Sequence, residues 1–278
     1  MLIILSTPIG NIDDISLRAI KILKNTKFIA CEDTRVTKKL FGLINIKLSS
    51  KLISYNDRNA EKIRPKLINI LDKNDVVLVS DSGTPLISDP GFKLVKLCHE
   101  KQIKVTSIPG ACSPITALTL SGMPSDRFIF NGFFPRKNKN ATEIINETIG
   151  LKVTQIWFES PNRLLKTLNF LRKKLGNRRC AVLRELTKIH EEISIGNLND
   201  LIEKYSNIEK IRGEIIIIVE GSKTKEKLNE KIVISMFSKK LKKMKMKEAV
   251  KEISVELGYN KNQIYKIGIN LLNNMKSE

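Results

Sequence analysis

Aromatic residues are scarce in this chain of 278 residues, at 5% with a single tryptophan, Trp157. That leaves little material for stacking platforms on an exposed sheet. Histidine occurs only as His99 and His190, and cysteine only as Cys31, Cys98, Cys112 and Cys180. No two cysteines stand at C-x-x-C spacing, and the adjacent pair Cys98–His99 is poorly placed to chelate one ion, so neither a disulfide framework nor a metal site is expected. No apolar run approaches the roughly 18–20 residues that span a bilayer, which excludes a membrane-spanning helix. The N-terminal apolar run, Leu2 to Leu5, is short and has no basic stretch before it. It makes a poor signal peptide, and a cytoplasmic protein is expected. Also missing are a G-x-x-x-x-G-K-[ST] loop, a G-x-G-x-x-G turn after the first strand and a G-x-S-x-G elbow, so kinase, GTPase, ordinary dinucleotide and serine-hydrolase readings fall.

Acidic residues are outnumbered. The chain has 49 Lys+Arg against 29 Asp+Glu, for a net charge of +20. Such a charge suits a polyanionic partner. Lysine outnumbers arginine 37 to 12 in a chain also rich in Ile and Asn, which is the imprint of AT-rich codon drift. The arginines, which drift works against, are therefore the better guide to function.

With 41% hydrophobic and 28% charged residues the composition is globular. Up to Ile108, strand-like apolar runs (Leu2–Leu5, Phe28–Cys31, Val76–Ser80, Val105–Ile108) alternate with helical patterns (Ile15–Leu23, Thr37–Leu43, Ala60–Leu71, Phe92–Lys101). Unalternated apolar strands separated by helices predict an α/β fold with a parallel sheet covered on both faces. After a helix at Ser113–Leu120, a second series offers strands at Arg127–Gly132, Val153–Phe158, Cys180–Leu183 and Glu214–Val219. Its helices are expected at Ala141–Ile149, Arg163–Leu175 and Leu198–Tyr205, with Pro135–Asn140 as a basic, mobile loop. Two α/β domains, 1–112 and 113–222, would leave a cleft between them, a usual place for a ligand. Beyond them, 223–278 reads as a polar linker (Ser222–Lys231), a mixed apolar-basic stretch (Ile232–Met244) and helices at Lys247–Leu257 and Asn262–Leu272. Gly258 suits a helix C-cap and Asn260 an N-cap, so this unit is either helix-turn-helix-like or a packed helical hairpin.

Chemistry is expected at the carboxyl ends of the parallel strands. Those ends carry Ser6-Thr-Pro-Ile-Gly-Asn11, Glu32-Asp-Thr-Arg35, Asp81-Ser-Gly-Thr-Pro-Leu-Ile-Ser-Asp-Pro-Gly91 and Pro109-Gly-Ala-Cys-Ser113. Proline and glycine at four equivalent points fix tight turns and let backbone groups approach a ligand.

These motifs, with Pro124-Ser-Asp-Arg-Phe128, Gly132-Phe-Phe-Pro135, Glu159-Ser-Pro-Asn-Arg163, Arg184-Glu-Leu-Thr-Lys188 and Arg212-Gly-Glu214, resemble the ribosomal RNA small subunit methyltransferase I family of the tetrapyrrole-methylase (class III) methyltransferases. The likeness runs in order from about Met1 to Gly221. The resemblance implies two tetrapyrrole-methylase-like α/β domains and a small C-terminal helical module. It implies S-adenosyl-L-methionine as cofactor and 2′-O-methylation of a cytidine ribose in the decoding region of small-subunit (16S) rRNA. The substrate is expected to be the assembled 30S particle, and the enzyme a homodimer. Carried onto this chain, the cofactor walls are Pro8, Gly10, Asp81, Gly83, Leu86, Gly110 and Ser113 from the first half. From the second half they are Phe158, Leu183, Arg184, Gly213 and Ile215. Other readings are a class III methylase acting on a tetrapyrrole, and a non-catalytic RNA-binding ribosome assembly factor. Against the first stand the Ser80-Asp-Ser-Gly-Thr-Pro85 loop and the basic charge; against the second, the intact cofactor loops.

A ribose hydroxyl is a poor nucleophile, so a base or a cation that stabilises the developing oxyanion is expected. Glu32, Asp33, Glu185 and Lys188 sit at strand ends. Asp33 is assigned the base role with Glu32 as rival, and Lys188 the electrostatic role. Equally, Glu32, Asp33 and Arg35 can form a local ion pair that caps the next helix. Arg35, Arg136, Lys137 and Arg163 are assigned to RNA phosphates, with Arg184 and Lys188 able to join them at one opening of the cleft.

Overall fold

A computed structural model describes residues 1–222, 230–241, 244–257 and 261–276. Two units separate by their internal contacts, Met1–Ser222 and Lys223–Glu278. Gly258, Asn260 and most of the expected polar linker lie outside the described residues.

The apolar runs of the first half become β1 (Leu2–Leu5), β2 (Phe28–Cys31), β4 (Val76–Val79) and β5 (Val105–Ile108). A further strand, β3 (Lys51–Ser54), pairs on the outside of β2. The sheet order is β3-β2-β4-β1-β5 and every pairing is parallel. Alternate residues of one strand feed opposite cores. Val76 and Leu78 pack with α3 (Ala60–Leu71) and α4 (Phe92–Glu100). Val77 and Val79 pack with α1 (Leu17–Asn25) and α2 (Thr34–Leu43). Burial on both faces is why β1, β2 and β4 are apolar at every position. Side chains cap the helices where the chain turns: Ser16 accepts from the Ala19 amide and Asp33 from the Arg35 amide. The Asp33 cap starts α2 three residues before the apolar pattern does.

The second half contains β6 (Phe128–Phe133), β7 (Thr154–Glu159), β8 (Arg179–Arg184), β9 (Glu192–Asn197) and β10 (Ile215–Val219), in the order β6-β7-β10-β8-β9. This sheet is mixed. Only β6 and β7 run parallel, and β10 lies antiparallel between β7 and β8. Ile215, Ile217 and Val219 face α6 (Asn138–Thr148), α7 (Leu164–Leu175) and α8 (Leu198–Ser206). Ile216 and Ile218 face Ala117 and Leu118 of α5 (Ser113–Ser121). The expected basic loop Pro135–Asn140 is in part helix: α6 begins at Asn138, because Ala141 and Ile145 anchor it against Phe134 and leave its first turn in water.

The C-terminal unit has three described helices, α9 (Glu230–Lys240), α10 (Met246–Leu257) and α11 (Lys261–Lys276). They share a core of Val233, Phe237, Ala249, Val250, Ile253 and Ile264.

Candidate functional site

The carboxyl ends of β1, β4 and β5 are laced together by short bonds. The Thr7 amide donates to the Gly83 carbonyl (2.9 Å), and the Thr84 hydroxyl donates to the Ala111 carbonyl (2.9 Å). Ser6 Oγ lies 3.0 Å from Thr84 Oγ1. The loop after β1 also grips the second half of the unit. The Asn11 amide donates to Thr187 Oγ1 (3.0 Å), and Ile9 packs with Leu183, Leu186 and Ile216. Gly10 permits this approach: a Cβ there would lie 2.5 Å from Lys188 Cγ and 2.8 Å from the Leu186 carbonyl oxygen. Strain collects around the same place. Leu86, Ser88, Glu185 and Thr187 all hold positive φ, between 51° and 74°. Non-glycine residues hold such backbone only where the surroundings over-determine it, which is common at ligand sites.

These loops enclose a cavity of about 330 Å³. One wall is apolar: Ile9, Phe158, Leu183, Leu186 and Ile216. Polar groups come from Ser82 to Thr84, Ser88, Ser113 and Ser160. Three carboxylates, Asp89, Glu159 and Glu214, also line it, and no lysine, arginine or histidine does among the described residues. Glu159 and Glu214 are paired with Arg163 and Lys188, and Asp89 carries no ion pair among the described residues. Such a lining repels phosphates and favours a cation with an apolar body.

A second cavity of about 270 Å³ abuts the first, and the two share Ile9, Ser82 and Glu214. Its walls come from the loop after β1 (Thr7 to Gly10, Ile12), from α2 (Val36, Lys39, Leu40, Leu43), and from Asp81 and Lys188.

Of the residues expected around a cofactor, Gly83, Ser113, Phe158, Leu183, Gly213 and Ile215 line the first cavity. Pro8, Gly10 and Asp81 line the second. Leu86, Gly110 and Arg184 line neither. Leu86 packs over Gly91, and Gly110 is pressed against Ser6. Arg184 pairs with Glu192 (2.8 Å) and donates to the Arg212 carbonyl (3.3 Å), so its fork is already used between β8 and β9. Sequence reasoning missed Asp89 and Glu159. Both stand inside motifs that were singled out, so the signal was present, but only the fold turns them toward one cavity.

Asp33 is geometrically occupied. Its carboxylate caps α2 and takes the Arg35 guanidinium, with Nη2 at 2.5 Å from Oδ2. The Arg35 hydrogen bonds hold it down at about 2, which makes it a weak base. Its neighbours are pushed the other way. Burial first, then the charges of Asp89 and Asp81, raise Glu32. Burial also raises Asp81, and the Asp33 amide hydrogen bond (3.0 Å) only partly offsets it. Asp89 is raised to about 6, mainly by burial, with Asp81 and Asp57 adding repulsion. Lys188 donates to Glu185 (2.9 Å) and Glu214 (3.2 Å). Burial pulls its ammonium down, but those two carboxylates outweigh it and keep it above the ordinary lysine value. Two of its three N–H groups are engaged, which leaves one for a ligand.

The arginines divide. Arg136 and Lys137 are exposed and carry no ion pair among the described residues. Arg163 points inward instead. It donates to the Phe134 (3.1 Å) and Pro135 (2.9 Å) carbonyls and lies 3.4 Å from the buried Glu159. Glu159 also accepts from Thr167 Oγ1 and from the Ser160 amide. Arg163 thus ties the ends of β6 and β7 together behind the first cavity through its Nη2. The four cysteines are free thiols, no group of three or more metal-ligating side chains occurs among the described residues, and none of their helices is long and apolar enough to cross a membrane.

Comparison with known proteins agrees with this architecture. The model of the Tetrapyrrole (Corrin/Porphyrin) Methylases family matches residues 1–202. A protein of Rickettsia prowazekii named "Ribosomal RNA small subunit methyltransferase I" is 42% identical over 270 residues, covering 96% of this chain and 95% of that protein. One of the same name from Hydrogenobaculum is 45% identical over 226 residues, covering 80% of this chain and 96% of that protein. Among solved structures, a diphthine synthase superposes with a TM-score of 0.62 at 13% identity, over 80% of this chain and 90% of that one. A uroporphyrin-III-C-methyltransferase from Thermus thermophilus does so with 0.53 at 16% identity, over 79% and 93%, a likeness of fold alone. The chain therefore belongs to the tetrapyrrole methylase family and, within it, to the ribosomal RNA small subunit methyltransferase I group.

Proposed function

We propose that this protein is an S-adenosyl-L-methionine-dependent methyltransferase that modifies the 2′-hydroxyl of a cytidine in the decoding region of small-subunit rRNA. It would act on the assembled 30S particle, in the cytoplasm, as a homodimer. The observation that carries the reading is the first cavity, with an apolar wall, three carboxylates and, among the described residues, no cationic side chain in its lining, inside a strongly basic chain. That donor set fits a sulfonium compound that has no phosphates. The names of the relatives at 42% and 45% identity supply the substrate class.

When bound, S-adenosyl-L-methionine supplies an electrophilic methyl group. Phe158, Leu183 and Ile215 would hold its apolar parts, Gly83, Ser113 and Gly213 its polar edges, and Asp89 its positive charge. The acceptor hydroxyl would enter from the second cavity, at the rim shared by Ile9, Ser82 and Glu214. There Asp81, raised by burial, is better suited than Asp33 to take the hydroxyl proton. The neighbouring Asp33 charge adds to the burial that raises Asp81. Lys188, held charged, would donate its remaining N–H to the developing oxyanion. Arg35, Arg136 and Lys137 would meet phosphates outside.

The test is transfer of a labelled methyl group to 30S particles from cells that lack the protein, followed by mapping of the methylated ribose. Asp81→Asn is expected to lower kcat about 10²-fold or more, with S-adenosylhomocysteine affinity kept. Asp33→Asn is expected to keep kcat. The opposite ranking would return the base role to Asp33. Failure of wild-type protein to methylate any small-subunit particle would refute the reading.

A further inference from the structure

α2 has two apolar faces. Thr37 and Phe41 are buried toward the sheet, as a surface helix requires. Val36, Leu40 and Leu43, spaced i, i+4 and i+7, form another stripe that lines the second cavity. Val36 is 38% and Leu43 57% exposed, so the stripe is left open among the described residues of the first unit. The charges around it nearly cancel: Lys39 and Lys188 stand against Asp81 and Glu214. A phosphate would find no net attraction in such a lining, whereas a neutral heterocycle with a sugar would find an apolar bed and polar edges.

We infer that the second cavity receives the methyl-accepting nucleotide flipped out of its stack, with the pyrimidine lying on Val36, Leu40 and Leu43. The inference deepens the acceptor reading above and rests on it. Two observations tie the cavity to that reaction rather than to an unrelated ligand. It shares wall residues Ile9, Ser82 and Glu214 with the cofactor-type cavity. It also brings the apolar stripe into one lining with Asp81 and Lys188. An unstacked base needs a compensating surface, and an aliphatic bed does that work in a chain with so few aromatics. Edge recognition is available as well. Glu214 is 73% exposed and uses one oxygen on Lys188, which leaves the other to accept from an exocyclic amine. Lys39 has no ion pair among the described residues and can donate to a ring carbonyl. An amine beside a carbonyl is the edge of cytosine, so cytidine is preferred over uridine.

Two measurements on the full chain test this. In the first, protein with 13C-labelled Val and Leu methyl groups is saturated with S-adenosylhomocysteine and titrated with cytidine or uridine. Shifts at Val36, Leu40 and Leu43, larger for cytidine and absent at Leu183, are expected. Shifts confined to other sites, or none, would overturn the inference. In the second, Val36→Ser/Leu43→Ser is expected to raise the KM for 30S particles about tenfold with S-adenosylhomocysteine affinity unchanged. Both positions are exposed, so the fold should tolerate them. An active wild type with an unaltered double variant sinks this inference alone. An inactive wild type sinks the methyltransferase reading, and the nucleoside titration still decides the pocket.

Discussion

Arg163 offers the sharpest separation between a surface role and an internal one. Its guanidinium faces two main-chain carbonyls at 2.9 and 3.1 Å and the Glu159 carboxylate at 3.4 Å, while the Glu159 side chain is 1% exposed. In Arg163→Ala the carboxylate loses its cation. Breaking a buried pair in this way costs about 3–5 kcal/mol when nothing else holds the charge. Here Thr167 Oγ1 and the Ser160 amide remain as donors, and Arg163 itself is 28% exposed. The expected loss is therefore nearer 2–3 kcal/mol, roughly the worth of hydrogen bonds to a charged group. For a unit of this size that corresponds to about 4–12 °C in Tm. Arg163→Lys keeps the charge but lacks the fork, and should recover about half. Trp157 is the sole tryptophan and lies in β7 with 0% exposure, so its fluorescence in a urea titration follows the first unit alone. If Arg163→Ala leaves the midpoint within about 0.5 kcal/mol, and instead lowers the salt dependence of RNA binding by about one phosphate, the argument is wrong and Arg163 is an RNA contact.

Asp89 gives a pH-dependent counterpart. Its pKa, raised to about 6 by burial, means that the folded chain holds this proton more tightly than the unfolded one. Ionisation therefore opposes folding, fully above about pH 6, and the penalty disappears below the unfolded value near 3.8. Asp89→Asn should melt higher than wild type at pH 8 and equal to it near pH 3.5; a constant gap across that range would show that the carboxyl does not titrate as argued. Gly10→Ala pushes a methyl group to within 2.5 Å of Lys188 Cγ. Overpacking of this kind costs about 1–3 kcal/mol, and the displaced lysine should lower kcat more than cofactor affinity. A variant with wild-type Tm and kcat would show that the two loops part freely.

Local patterns carried far into this fold. The strands β1, β2 and β4 are legible because burial on both faces demands apolar residues at every position, whereas β5, at the sheet edge, tolerates Thr106 and an exposed Ser107 between Val105 and Ile108. α3 spans Ala60–Leu71 as its periodicity predicts. Two strands were not legible. β3 is an edge strand with an exposed end and no fully buried residue, so it lacks the signature of its neighbours. β9 inverts the usual alternation: Ser194 points inward to Tyr205 and Lys204, while Ile193 and Ile195 are 38% and 46% exposed. A polar residue in the interior, satisfied by its own network, looks like a loop to any pattern based on hydropathy.

The same division holds at the site. Proline, glycine and paired acids at strand ends announced a binding edge, because turn geometry and close approach are properties of those residues wherever they occur. What each charged side chain does depended on its partners across the fold. Asp33 and Asp89 are both aspartates in strand-end loops, yet a guanidinium two residues away sends one down to about 2, and burial among other carboxylates sends the other up to about 6. Arg163 reads in the sequence as a phosphate ligand, and only the fold shows that β6 and β7 bring two carbonyls and Glu159 around its Nη2. Composition and periodicity set which elements form, since they act over a few residues. Electrostatic environment is a sum over neighbours distant in sequence, and only tertiary packing supplies that sum.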